Sequence, residues 1–216
     1  MFINAELPGK QLYTLKLTEA LLIRDEDGNT TFGGDQNWYS AKWHKQAGCG
    51  PTNGAHLISY LSQTRGKYSI LTLHDCRSKT GFTALMEDVW HYMTPGIRGV
   101  NKTKFFNKSL CAYANDRGVS LSCRLLEIPM IRKKRPSCEE MLNFITQALS
   151  DDLPVAFLNL HNGGVINLES YHWVIIVAMD LKTNQVIIYD HGKKFEIDLK
   201  LWLSQTKAGG GFAVML

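Results

Sequence analysis

The sequence predicts an α+β fold, and three observations carry that expectation. Helical periodicity with clear stop signals dominates residues 1–118, and short strand patterns dominate residues 119–216. The turns between the late strands are also too short to hold crossover helices, so the sheet is expected to be antiparallel. At 216 residues the chain is expected to form a single domain, 1–216, in which 1–118 is a mainly helical lobe and 119–216 a mainly antiparallel sheet lobe.

The elements follow in order. Leu21-Leu22-Ile23 and Thr30-Thr31-Phe32 flank the polar run Asp25-Glu26-Asp27-Gly28-Asn29, a hairpin signal. A first helix begins at Cys49, where Pro51 suits a first turn that needs no backbone donor, and it closes at Gly66. A second runs from Phe82 to Met93 and stops at Thr94-Pro95-Gly96, and a third from Thr103 to Arg117 ends at Gly118. Leu85, Val89 and Met93 in one, and Phe106, Leu110 and Tyr113 in the other, recur at helical spacing and are expected in the core. Strands are expected over Ser120 to Ile128, Val155 to Leu160, Trp173 to Met179, Val186 to Tyr189, Phe195 to Leu199 and Phe212 to Leu216. One helix interrupts them, announced by the capping box Ser137 and Glu140.

Composition excludes several classes. Five cysteines without CxxC pairs argue against a disulfide framework and a structural zinc site, and fit a reducing compartment. Met1 to Lys10 shows no basic start followed by an apolar run, and no segment approaches a membrane span, so a cytoplasmic protein without a membrane partner is expected. The net charge of +4 is dispersed apart from Arg132-Lys133-Lys134-Arg135, read as a solvated loop rather than a nucleic-acid surface.

The chemistry-bearing residues start with Cys49. A cysteine at a helix start meets unpaired N–H groups and the positive end of the helix dipole, which favour the nucleophilic thiolate. Such a nucleophile needs a base. Of the seven histidines, His56 and His91 lie within helix patterns as surface or packing residues, and His74 has no second ligand at metal spacing. His172 instead opens a strand beside the bulky Trp173, and the next strand ends in Asp190. A hairpin about Lys182-Thr183-Asn184 brings His172 and Asp190 to one end, where a carboxylate can fix the imidazole tautomer.

The segments GCGPTNGAHLISYL and YHWVIIVAMDLKTNQVIIYD resemble the nucleophile and histidine-aspartate motifs of papain-like cysteine peptidases, most closely the branch related to bacteriocin-leader peptidases. The order Cys, His, Asp agrees with that family. The resemblance implies a two-lobe fold with the active site between a helical and an antiparallel sheet lobe, and a peptidase or amide hydrolase working through a thioester acyl-enzyme on a peptide or protein substrate. No metal and no cofactor are implied. It also implies a glutamine that donates to the oxyanion, but Trp43 stands six residues before Cys49, where that glutamine usually lies. Gln36 and Gln46 are the available replacements. Gln36 is preferred, because a loop can fold back over the helix start, while Gln46 is assigned to the substrate-binding cleft. Asn159 and His161 near the preceding strand end, with Trp173, are expected to line that cleft too. An acyl- or peptidyltransferase with the same triad, and a peptide-binding protein whose chemistry has lapsed, remain open alternatives.

Overall fold

The computed structural model describes residues 11–216, so the reading of Met1 to Lys10 falls outside the described residues. The chain runs β1 (Leu12–Thr14), β2 (Leu22–Arg24), β3 (Thr30–Phe32), α1 (Lys42–Ala47), α2 (Cys49–Thr64), α3 (Lys79–Tyr92) and α4 (Thr103–Asn115). It continues through β4 (Cys123–Ile128), α5 (Cys138–Ser150), β5 (Val155–Asn159), β6 (His172–Asp180), β7 (Gln185–Asp190), β8 (Lys193–Asp198), α6 (Leu199–Gln205) and β9 (Gly210–Met215). The fold is α+β, with every strand pair antiparallel.

The main sheet has the order β4-β9-β5-β6-β7-β8, and β1 pairs with the far end of β6. That strand departs from the expected division at residue 119. Leu12–Thr14 leaves the helical half and pairs with Ala178–Asp180, continuing along β6 beyond the stretch that β5 covers. At three residues it is too short to show a period in the sequence. Two helices also lay beneath the pattern: α1, which abuts α2 at Gly48, and α6, capped by the Asp198 carboxylate accepting from the Leu201 N–H at 2.8 Å.

Packing explains the residue choices around α2. The helix is buried from Cys49 to Leu61. A side chain at Gly54 would press on Leu110 and Val89, so this glycine admits the close approach of α3 and α4. On the sheet side, Trp173 stacks on Phe106 of α4 with ring centroids 4.2 Å apart, and Phe157, Phe212 and Trp202 form an aromatic cluster around β5, β9 and α6. The buried apolar residues of both halves form one cluster. The basic run is only partly solvated. Arg135 donates to the carbonyls of Pro129, Met130, Leu203 and Thr206 at 2.8–3.2 Å, and Arg132 reaches the Ser204 carbonyl, so both guanidinium groups fasten this loop to α6. No described helix is long and apolar enough to cross a membrane.

Gly210 shows why the glycine run precedes the last strand. It has φ +151° and pairs with both Ile128 and Asn159, and a Cβ there would collide with the Leu158 carbonyl. Gly210→Ala is expected to lower unfolding stability by about 3 kcal/mol, because the clash is with backbone and cannot relax by rotamer change. Urea denaturation monitored by tryptophan fluorescence measures the loss.

Candidate active site

The hairpin of β7 and β8 turns on two residues, His191 and Gly192, with φ 48° and 69°. Two-residue type I′ turns require positive φ at both positions, and histidine tolerates the first better than most residues. The turn puts Asp190 at the end of β7 and aims His191 alongside it. His172, at the start of neighbouring β6, directs Nε2 to Asp190 Oδ1 at 2.7 Å, and both side chains are almost fully buried. Its other neighbour is the Cys49 thiol at the start of α2. With Nε2 engaged by Asp190, Nδ1 is the ring nitrogen left for the sulfur.

Charge decides the state of His172. Burial disfavours the imidazolium, but the hydrogen bond to Asp190 and the nearness of its carboxylate and of the Cys49 thiol outweigh it, and the pKa rises to about 10. The remaining cysteines differ. Burial raises the thiols of Cys76, Cys111 and Cys138, and pushes Cys123 up to about 11, which disfavours thiolate at all four.

Cys49, His172 and Asp190 surround a chamber of about 10 Å³, the size of one water. Gln36 lines it as well. Its Nε2 donates to the Lys45 carbonyl at 2.7 Å, which fixes the amide, while Oε1 is buried without a partner among the described residues. Asn53 and His56 complete the wall, at helical spacings of four and seven residues from Cys49. The Oδ1 of Asn53 and the Nδ1 of His56 are likewise buried and unpartnered among the described residues. His56 Nε2 accepts from the Gly34 N–H at 2.8 Å, so the proton sits on Nδ1, and burial lowers its pKa to about 4 despite the pull of Asp190. His56 is thus a neutral prop beneath the loop that carries Gln36.

Of the other expected cleft residues, Trp173 lines the chamber, while Asn159 and His161 lie apart from it. Asn159 and His161 line neither this chamber nor the outer groove beside Cys49. The Asn159 amide is engaged in the fold: Oδ1 accepts from Trp202 Nε1 at 2.7 Å and from the His161 N–H at 3.1 Å, and Nδ2 donates to the Glu169 carbonyl. His161 closes the same turn, its carbonyl accepting from Trp202 and Thr206. Trp173 is buried and lines the chamber beside His172, donating to the Val100 carbonyl at 2.5 Å. Gln46 does reach the outer groove, together with Trp43.

The sequence reading passed over Asp35 and His191. Their side chains bond at 3.2 Å, and the His191 ring stacks on His172 with centroids 5.1 Å apart and planes 11° from parallel. The Asp35 bond raises the His191 pKa, while Asp35 itself is lowered because His191 and the Asn37 amides outweigh burial. Histidine in a two-residue turn directly after the acid was the available signal. Glu169, His172 and His191 bring ligand atoms within 4.8 Å of one another. Near-parallel stacked rings do not aim in-plane lone pairs at one ion, however, and Asp190 already holds His172 Nε2, so stacking and the Asp190 bond account for the cluster.

A raised folded-state pKa means that the His172 imidazolium stabilises the fold. The contribution is complete below the ordinary value of 6.5 and is lost as pH rises through about 10. Asp190→Asn is therefore expected to lower stability by about 2 kcal/mol near neutral pH, the worth of a hydrogen bond to a charged group, with the gap from wild type closing above pH 10. Urea titrations across that range test the trend, and a gap that widens with pH contradicts it.

No protein-family model matches the chain, and no curated protein sequence matches it, so the chemistry has to be read from the geometry itself.

Proposed function

We propose that the protein is a cysteine hydrolase with a papain-like, two-lobe arrangement, cleaving a peptide or related amide bond. The observation that carries this reading is the buried imidazole of His172, held by Asp190 at 2.7 Å on one side and adjoining the Cys49 thiol on the other. A histidine that only capped a strand would not need a buried acid on one nitrogen and a thiol at the other. The five free cysteines fit a reducing, cytoplasmic setting.

In this mechanism His172 already holds, as imidazolium, the proton drawn from Cys49, and the sulfur attacks the amide carbonyl as thiolate. The raised pKa of His172 keeps that proton on the ring until the C–N bond breaks, when it passes to the departing amine and leaves a thioester on Cys49. Water, deprotonated by the now neutral His172, then attacks the thioester, releases the carboxylic acid and restores the thiolate beside the His172 imidazolium. Asp190 holds the ring orientation and stays ionised. The oxyanion receives the Cys49 backbone N–H, in the helical turn where such groups lack an intrahelical acceptor, and the second N–H of Gln36. Gln36 is favoured over Gln46 because its amide is already fixed by the Lys45 carbonyl, whereas Gln46 is exposed.

An electrophilic peptide probe at neutral pH is expected to label Cys49 and to leave the Cys49→Ala variant unlabelled. Equal labelling of the variant, or labelling chiefly at Cys76, Cys111, Cys123 or Cys138, rejects the assignment. Gln36→Ala is expected to slow turnover about 10²–10³-fold, the usual effect of losing one oxyanion donor, and Gln46→Ala far less. His191→Asn keeps a residue suited to the turn but loses the stacked ring, and a fall in kcat of about tenfold with little change in KM is expected from a misaligned base.

A further inference from the structure

A groove of about 550 Å³ shares only Cys49 with the polar chamber. Because the chamber holds about one water, a substrate reaches the sulfur through this groove. Its walls carry large apolar side chains left in solvent: Ile97 is 97% exposed, Tyr171 61% and Trp43 44%. Apolar exposure converging on one groove marks a binding surface.

Two further observations give the groove a chemical preference. Arg98 is the single charged residue in its lining, and its guanidinium makes no hydrogen bond or ion pair with any described residue. No carboxylate among the described residues lines the groove to neutralise it. Tyr171 has φ +57°, a left-handed conformation that is unfavourable for a bulky side chain and that asparagine or glycine would adopt more easily. Strain of this kind gathers where a side chain is held in place for binding. Tyr171 directly precedes His172, so the strained residue hangs an aromatic ring over the approach to the triad.

We propose that the groove takes a peptide segment bearing a carboxylate beside an apolar side chain, with the carboxylate on Arg98 and the apolar group among Trp43, Ile97 and Tyr171. The proposal rests on Cys49 being the nucleophile and adds the substrate class. Guanidinium suits this task because its planar fork matches a carboxylate.

Iodoacetate and iodoacetamide differ mainly in charge, so their alkylation rates at Cys49, followed by mass spectrometry and referred to the same ratio for glutathione, report the groove's preference. The wild-type ratio is expected to favour iodoacetate by about tenfold, Arg98→Gln to lower it about fivefold, and Arg98→Lys to preserve most of it. Arg98 is exposed and unpaired, so these variants keep the fold. An unchanged ratio in Arg98→Gln, with Cys49 still alkylated, overturns this inference and leaves the hydrolase reading standing. Failure of either reagent to reach Cys49 in the wild-type protein overturns both. For the apolar wall, Tyr171→Asn is expected to raise thermal stability by relieving the backbone, yet to slow alkylation by 2-bromo-3-phenylpropanoate more than by bromoacetate. Equal slowing of the two reagents removes Tyr171 from the proposal.

Discussion

Phe32 donates its backbone N–H to the Gly192 carbonyl at 2.9 Å, joining the β2–β3 hairpin of the first half of the chain to the β7–β8 turn of the second. Much of the candidate site follows from that junction. With the hairpin fastened there, the chain leaving Phe32 passes Gly33 and Gly34 and delivers Asp35 to His191 and Gln36 to the chamber at Cys49. His56 supports the same loop from below through the Gly34 N–H. The turn therefore does two jobs, ending β7 at Asp190 and receiving the segment that carries the proposed oxyanion donor.

His56 and His172 show how partners decide the charge of a buried group. Both imidazoles are buried and both line one chamber. His56 has a backbone N–H on one nitrogen and no partner on the other, so desolvation prevails and the ring stays neutral. His172 has a carboxylate at 2.7 Å and a thiol nearby, and these reverse the effect of the same burial. Two rings of one chemistry are thereby fitted to different tasks, one holding a loop and one holding a proton. Asn53, His56 and Gln36, each with one buried unpartnered polar atom among the described residues, all line the water-sized space, an arrangement suited to one bridging water.

Much of the fold was legible because its elements are long or punctuated. The helix from Cys49, the helices ending before Pro95 and Gly118, and the capping box at Ser137 and Glu140 announce themselves through local chemistry, and the expected strands from Val155 onward lie within a residue or two of those seen. β1 and α6 were not legible, being three and seven residues long with identities fixed by partners far along the chain. The placement of Asn159 and His161 was not legible for a related reason. Polar residues at a strand end look alike whether they face a ligand or bind Trp202 and the Glu169 carbonyl, and only the packing of α6 separates the two cases.

For the candidate site, sequence by itself determined the residue types and their local settings: a cysteine at a helix start, a histidine opening one strand and an acid closing the next, related by a short hairpin. Such features depend on hydrogen bonds and dihedral preferences within a few residues. Tertiary structure decided which distant pieces meet. It put Gln36 beside Cys49 and Gln46 in the groove, stacked His191 on His172, tied Asp35 to that ring, and left Arg98 without a partner among the described residues at the approach to the sulfur. Those outcomes depend on contacts between residues far apart in sequence, up to 156 positions for Asp35 and His191, which no local pattern encodes.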